Sequence, residues 1–247
     1  MKHLGWPPLA ALLVTLLGSA LLGALVSVIA LRIRGLYFSI FTLAFAELFY
    51  ILAQNRILVD ITGAEDGFTF AVPDWLNAVK HRLLFYYLGL GLLVLAFWFV
   101  RRLVNSPTGR VMAAVRENEA RAVMLGYNTF VFKTLSIVSA GVLATLAGVL
   151  RALLNKGASP NVLGINFTMD PLLMTLIGGT GTFSGPVVGA FLLRLTEQLL
   201  RDTVIQVGAW QVNIGERWAL ILGGLFILSV IAFPQGIVGT LKRRSRR

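Results

Sequence analysis

Four apolar runs, each long enough to cross a hydrocarbon core, constrain this chain more than any motif it carries. Leu9 to Leu31 is 23 residues without a charge, where about 20 suffice for a span. Leu36 to Ala53, Leu83 to Val100 and Thr134 to Leu154 follow. The first run is too long for a signal-peptide core, lacks a clean cleavage site and has only Lys2 as a weak basic flank. Water-facing residues could not cover this much apolar side chain: 57% of the chain is hydrophobic and 13% charged, against about 25% charged in ordinary soluble domains. Backbone groups inside lipid must satisfy one another, so the chain reads as an all-α, polytopic helical membrane protein. With no cysteine there is no disulfide framework and no thiolate nucleophile or ligand.

Between the spans the chain changes character sharply. Arg32 and Arg34 mark a turn of a few residues, which makes the first two spans a tight hairpin. Gln54 to Arg82 is mixed and turn-rich, with Thr62 to Gly67 reading as a surface turn. Pro171 to Leu195 is apolar but broken by Gly178, Gly179, Thr180, Gly181, Thr182, Phe183, Ser184, Gly185 and Pro186. No helix is expected to run unbroken through those glycines and a proline. A polar patch covers Asp202 to Arg217, Trp218 to Phe233 is a short last span, and residues 234–247 form a basic tail. Trp210 and Trp218 suit an interfacial belt. Gly141, Ala144 and Gly148 in the fourth run suit close approach of a neighbouring helix.

The positive-inside rule orients these pieces. The 32–35 turn holds Arg32 and Arg34, the 101–133 loop holds Arg101, Arg102, Arg110, Arg116, Arg121 and Lys133, and the tail holds Lys242, Arg243, Arg244, Arg246 and Arg247. Together these are 13 of the 22 basic residues. Placing them inside puts the N-terminus outside and the C-terminus inside as the chain stands. Parity then requires the broken segment, residues 171–200, to contribute either no crossing, as a re-entrant hairpin, or two. The chain has five spans plus a hairpin, or seven spans. The net charge of +11 therefore belongs to a membrane surface, and no aromatic-interleaved basic platform supports nucleic acid.

The longest charged stretch between spans is Asn105 to Lys133. Ser106 suits a helix cap and Pro107 a first helical position. Val111, Val115 and Ala122 keep one side apolar, while Arg110, Arg116, Glu117, Glu119 and Arg121 occupy the rest. Gly126 is a natural C-terminal stop. The pattern predicts a short amphipathic helix from Pro107 to the stop at Gly126, held at a membrane surface, of which Arg110 to Gly126 is the charged part.

Four stretches carry a family resemblance: RGLYFSIFTLAFAE at Arg34–Glu47, TGAEDGF at Thr62–Phe68, SPTGRVMAAVRENEARAVMLGYNTFVFK at Ser106–Lys133, and LIGGTGTFSGPVVGA at Leu176–Ala190. In order and spacing they resemble the LivM-type permease subunits of branched-chain amino acid ABC transporters, over about Leu22 to Leu200. The resemblance implies a single membrane permease domain over 1–247 in a bacterial or archaeal cytoplasmic membrane. It also implies a heterodimer with a second permease subunit, two cytoplasmic ATPase subunits, and an extracytoplasmic binding protein delivering Leu, Ile or Val. It implies no cofactor and no catalytic residue in the chain itself. Family members usually carry further spans before this point, so the chain is expected to lack leading helices. The importer loop places Gly six residues after the Glu of its Glu-Ala-Ala triplet; here Gly126 follows Glu119 by seven.

On that resemblance, the segment is expected to seat in a groove of the ATPase and carry its motion to the spans. Arg110, Arg116, Glu117, Asn118, Glu119 and Arg121 would supply polar contacts, with Val111, Val115 and Leu125 as apolar footing and Gly126 as the stop. The alternative is a lipid-surface helix binding headgroups through its arginines. Glu47, inside a span at a cost of ~2.5–3.5 kcal/mol, is a candidate for the translocation path together with Thr42. The competing reading is a carboxyl hydrogen-bonded to a neighbouring helix, or one protonated near the outer end. Gly178, Gly179, Thr180, Gly181 and Thr182 are candidates for a hinge or a backbone wall of that path, against simple close packing. The glycine run lacks the Gly-Lys-Ser/Thr ending of a nucleotide loop. Arg194 and Glu197 are spaced to pair. His3 and His81 are isolated, so no catalytic or metal constellation is expected. A urea or short-amide permease of the same type, a secondary transporter of a small polar solute, and a membrane enzyme are the other classes. A secondary transporter calls for several intramembrane acids or an inverted repeat, and an enzyme for clustered reactive groups.

Overall fold

A computed structural model describes residues 8–33, 35–55, 57, 59–70, 72, 77–78, 80–201, 204–207, 210–213, 223–224, 231 and 236–244. These residues fall into two compact units, Met1–Gly164 and Ile165–Arg247.

The first unit is built on the four apolar runs, each of which is a helix long and apolar enough to cross a membrane. They are α1 (Pro8–Ala30), α2 (Leu36–Gln54), α4 (Arg82–Asn105) and α7 (Thr129–Asn155); the four residues Val59–Thr62 make α3. Two boundaries differ from the apolar runs by more than one residue. Helix α4 continues five residues past Val100, and α7 begins five residues before Thr134. Each addition is about 7 Å of helix. Arginine is a good helix former, so Arg101 and Arg102 end the apolar run without ending the helix. Arg102 lies 5.6 Å from the Trp98 ring centroid, an aromatic contact suited to a membrane interface. What stops α4 is Ser106–Pro107, since a proline disfavours helical backbone in the residue before it.

Helices α1 and α7 pack antiparallel through small residues. A methyl group at Gly23 would sit 3.4 Å from the Val138 α-carbon, and one at Gly141 would sit 4.0 Å from the Ser19 carbonyl. Ser27 and Ala30 are fully buried, and the Ser27 hydroxyl donates to the Ala24 carbonyl at 2.7 Å. The expected Gly141–Ala144–Gly148 seam is only partly used within the chain: Ala144 is exposed, and nothing lies within 4 Å of a methyl group at Gly148. The close contact is made instead by Gly23 of α1. Most large apolar side chains of the four helices face outward, including Leu13, Leu17, Ile40, Leu43, Tyr86 and Trp98. Such surface requires lipid or another subunit.

At the end where α2 and α7 finish, β1 (Phe68–Thr69) pairs antiparallel with β2 (Gly157–Ala158). The Thr62–Gly67 stretch is a surface turn, as expected, with Ala64–Asp66 in a 3-10 turn between Gly63 (φ 74°) and Gly67 (φ 70°). Gly67 is required, because a side chain there would strike the Ala158 carbonyl. This strand pair puts the loops after the second and fourth spans at one end. The antiparallel packing of α1 and α7 puts the 31–35 turn and residue 129 at the other.

The second unit contains a helical hairpin: α8 (Ile165–Gly178) and α9 (Gly185–Arg201), joined by residues 179–184. The glycine stretch breaks the helix, as expected. However, α8 starts at Ile165, so Pro171 lies inside the helix and does not begin the segment. The glycines let the two backbones meet. A methyl group at Gly178 would overlap the Gly185 carbonyl, and one at Gly189 the Met174 carbonyl. The polar patch after Asp202 forms an antiparallel hairpin of β3 (Val204–Val207) and β4 (Trp210–Asn213), where no strand was expected. Helix α10 (Gly236–Arg244) begins on Gly236 (φ 72°), which lies against Gly179 at the hairpin turn. The expected last span, Trp218–Phe233, and the side chains of Trp210 and Trp218 lie outside what the structure describes, apart from the backbone of residues 223–224 and 231.

Candidate functional site

The candidate coupling segment is residues 106–128, mounted between α4 and α7. At its start, the Ser106 hydroxyl donates to the Leu103 carbonyl at 2.6 Å and accepts the Gly109 amide at 3.1 Å. One side chain thus closes α4 and caps α5 (Pro107–Glu117). Gly109 is buried, and any side chain there would strike the Leu103 and Val104 carbonyls. The corner between span and surface helix is therefore tight.

The single helix expected from Pro107 to Gly126 is two helices. Asn118 (φ −155°, ψ 100°) ends α5, and its Oδ1 accepts the Arg121 amide at 2.9 Å to cap α6 (Glu119–Met124). Asparagine competes with helix by bonding the backbone ahead of it, which makes it a good cap and a poor interior residue. Gly126 ends α6 as expected. With φ 84° it places its own amide on the Val123 carbonyl (2.9 Å) and the Tyr127 amide on the Ala122 carbonyl (3.1 Å), a Schellman ending.

Arg110, Arg116, Glu117, Asn118 and Arg121 are exposed, and Val111 is half-buried. Val115 is 7% exposed and Ala122 2%. Both are footing within the chain, so Val115 is not available to a partner as expected. The exposed apolar surface lies further on, at Val123 (55%), Met124 (86%) and Leu125 (69%). Of these, only Leu125 stood out in the sequence. The signal for the others is the run Ala122–Leu125, since four consecutive apolar residues on a short helix cannot all face inward. Glu119 points back into the chain: its Oε1 accepts from Lys133 Nζ at 2.6 Å and from Thr129 Oγ1 at 3.1 Å.

The candidate path residues of α2 are not brought to a common site. Thr42 donates its hydroxyl to the Ser39 carbonyl of its own helix at 3.0 Å. Glu47 is half-buried and makes no hydrogen bond with another described residue of the chain. Replacing Glu47 with glutamine is expected to leave uptake within about twofold of the parent, because changes that remove no contact stay near 0.5 kcal/mol. Loss of uptake in that variant, at unchanged abundance, would make the carboxylate a path residue.

In the second unit, Gly178 and Gly179 are buried, while Thr180 and Gly181 are exposed. Gly179 (φ 120°) and Gly181 (φ 91°) use backbone conformations that favour glycine. The Thr182 hydroxyl closes the turn on the Gly179 carbonyl at 3.0 Å. The Gly178 and Gly179 backbone lies in close contact with Gly185 at the start of α9. Arg194 pairs with Glu197 as its spacing indicates, and also with Asp170 of α8 at 3.2 Å, a partner 24 residues away that local spacing does not reveal. Among the described residues no group of three His, Asp or Glu side chains is placed to hold a metal ion.

Four bilayer-length helices and a glycine-broken helical hairpin define a polytopic helical membrane protein. Its family is that of the branched-chain amino acid transport system permease component, to which the chain belongs: the family model matches residues 1–230. The high-affinity branched-chain amino acid transport system permease protein LivM of Salmonella typhimurium is 30% identical across 94% of this chain and 56% of its own length. A probable branched-chain amino acid transport permease protein LivM of Methanocaldococcus jannaschii is 28% identical across 93% of this chain and 67% of its own. The autoinducer 2 import system permease protein LsrC of Yersinia pseudotuberculosis is 30% identical across 63% of this chain and 43% of its own. The chain spans about half the length of the bacterial LivM protein it matches. No solved structure matches it.

Proposed function

We propose that this chain forms half of the translocation path of an ATP-driven importer for branched-chain amino acids, and that residues 106–128 couple it to ATP hydrolysis on separate subunits. In this reading the chain pairs with a second permease subunit, and two cytoplasmic ATPase subunits seat against α5 and α6. An extracytoplasmic binding protein delivers the substrate. The observation that carries the reading is the mounting of the segment: two capped helices fixed to α4 at Ser106 and Gly109, presenting Val123, Met124 and Leu125 together with exposed arginines. A segment held at both ends transmits a push that a flexible loop would dissipate. Exposed apolar side chains in a segment that also carries exposed arginines suit a protein groove. The test is ATP-driven uptake of labelled leucine into vesicles holding the chain with the subunits that co-purify with it. Uptake that follows a proton or sodium gradient without ATP would instead make this a secondary transporter.

The orientation that puts the segment inside rests on the basic residues, with the 63–70 and 157–163 loops opposite. Helices α8 and α9, with 14 and 17 residues, are about 21 and 25 Å long, short of a core about 30 Å thick. Their length favours a re-entrant hairpin over two crossings, with α10 over its turn. A cysteine at Thr180 then stays unreactive to a membrane-impermeant thiol reagent supplied from the inner side. Ready labelling from that side would establish two crossings.

A further inference from the structure

We infer that Glu119 is a positioning residue of the coupling step: it braces α6 against span α7 through Lys133 and Thr129 and does not itself meet the ATPase. The inference rests on the coupling role proposed for residues 106–128 and adds how the motion reaches a span. Glu119 is the first residue of α6, directly after the break at Asn118. Thr129 is the first residue of α7, and Lys133 lies one turn further along. One carboxylate oxygen takes a hydrogen bond from each, at 3.1 and 2.6 Å. The contact therefore joins the beginnings of two helices that residues 125–128 connect in sequence.

The start of α7 has no side-chain cap of its own, and the Glu119 carboxylate lies beside it, bonded to the Thr129 and Lys133 side chains. Asn128 stands in the cap position of α7 yet makes no side-chain cap hydrogen bond. A negative group beside a helix N-terminus meets unpaired amides and the positive end of the helix dipole. The mirror-image task at the other end of the segment is done by Ser106, which ties α5 to α4. With Asn118 as the joint between the two surface helices, Glu119 sits where slack would otherwise enter, and its brace makes α6 move with α7. The Lys133 and Glu119 side chains are 34% and 43% exposed, so the pair contributes little to stability. Its effect is geometric, since a small misplacement of a docking element is costly to a coupled step.

The test is charge reversal in the whole transporter, purified with its partner subunits and reconstituted in vesicles, with leucine uptake and ATP hydrolysis measured on the same sample. Glu119→Lys and Lys133→Glu are each expected to lower leucine moved per ATP by about tenfold while the ATPase subunits still co-purify. The double variant is expected to regain most of it, as coupled pairs do. Glu119→Gln, which keeps an acceptor for Thr129 but loses the charge, falls between and guards against a reversed variant that fails to fold. A purely structural role would lower abundance and thermal stability and leave leucine per ATP unchanged. Single variants that couple normally, or a double variant no better than either single, would overturn the inference. Loss of the ATPase in the Glu119 variants, unrestored in the double, would make Glu119 a contact residue and overturn it while leaving the docking role intact. An unmodified chain that recovers no ATPase would remove both.

Discussion

Leucine in place of Gly189 is expected to abolish the folded protein. Gly189 is buried where α8 and α9 touch, and even a methyl group there would overlap the Met174 carbonyl and sit 2.9 Å from the Gly178 amide nitrogen. Both neighbours are backbone, so neither can turn aside as a side chain would. Overpacking against movable neighbours costs about 1–3 kcal/mol. Separating two helices costs more, and whole-protein stability is only about 5–15 kcal/mol. In detergent extracts, Gly189→Leu should give little or no monodisperse protein by size-exclusion chromatography, and Gly189→Ala a reduced yield with a lowered Tm. Gly148→Ala is the control, since a methyl group there meets nothing within the chain. Normal yield from Gly189→Leu would show that the two helices do not approach so closely.

The second large effect is expected at the exposed tip of α6. Aspartate at both Met124 and Leu125 should abolish ATP-driven uptake and release the ATPase subunits at unchanged abundance of the chain. These side chains are 86% and 69% exposed, so the chain loses no internal packing when they change. An interface loses desolvated apolar anchors, each worth at least about 2 kcal/mol where such residues dominate binding. Two together amount to a loss on the order of a thousandfold in affinity. Val115→Asp offers the contrast. Its side chain is buried, so that substitution should lower abundance and Tm before any binding is measured. Uptake undiminished in the Met124/Leu125 double variant would place the docking contact elsewhere.

These expectations separate what the sequence carries from what it does not. The spans were legible because a bilayer tests only length and apolarity, and Leu9–Leu31 passes with no knowledge of its neighbours. Their ends were less so: Arg101 and Arg102 mark where the apolar run stops, whereas α4 stops where Pro107 forbids it to continue. Ser106, Gly126 and the glycine turn were readable because each acts through its own backbone. Asn118 was not, because a break between two amphipathic helices leaves the periodicity nearly unchanged. Glu119 shows a further limit. Its charge says that it seeks a cation, but not whether that cation is Lys133 of the same chain or a residue of a partner. Asp170 meets Arg194 only because α8 and α9 fold back on each other, and the strand pair Phe68–Thr69 with Gly157–Ala158 is too short to leave a pattern.

The family is established by the match over residues 1–230. The claim beyond it is that the tip of α6 meets an ATPase rather than lipid, and photo-crosslinking from position 124 in native membranes tests it most directly. A photoreactive amino acid replaces Met124, the membranes are irradiated, and adducts are identified by mass spectrometry. The account predicts a covalent adduct between this chain and a nucleotide-binding subunit, lost when Leu125→Asp is added. Adducts with lipid alone, in membranes where the transporter is assembled and active, would contradict it and make the segment a membrane-surface anchor.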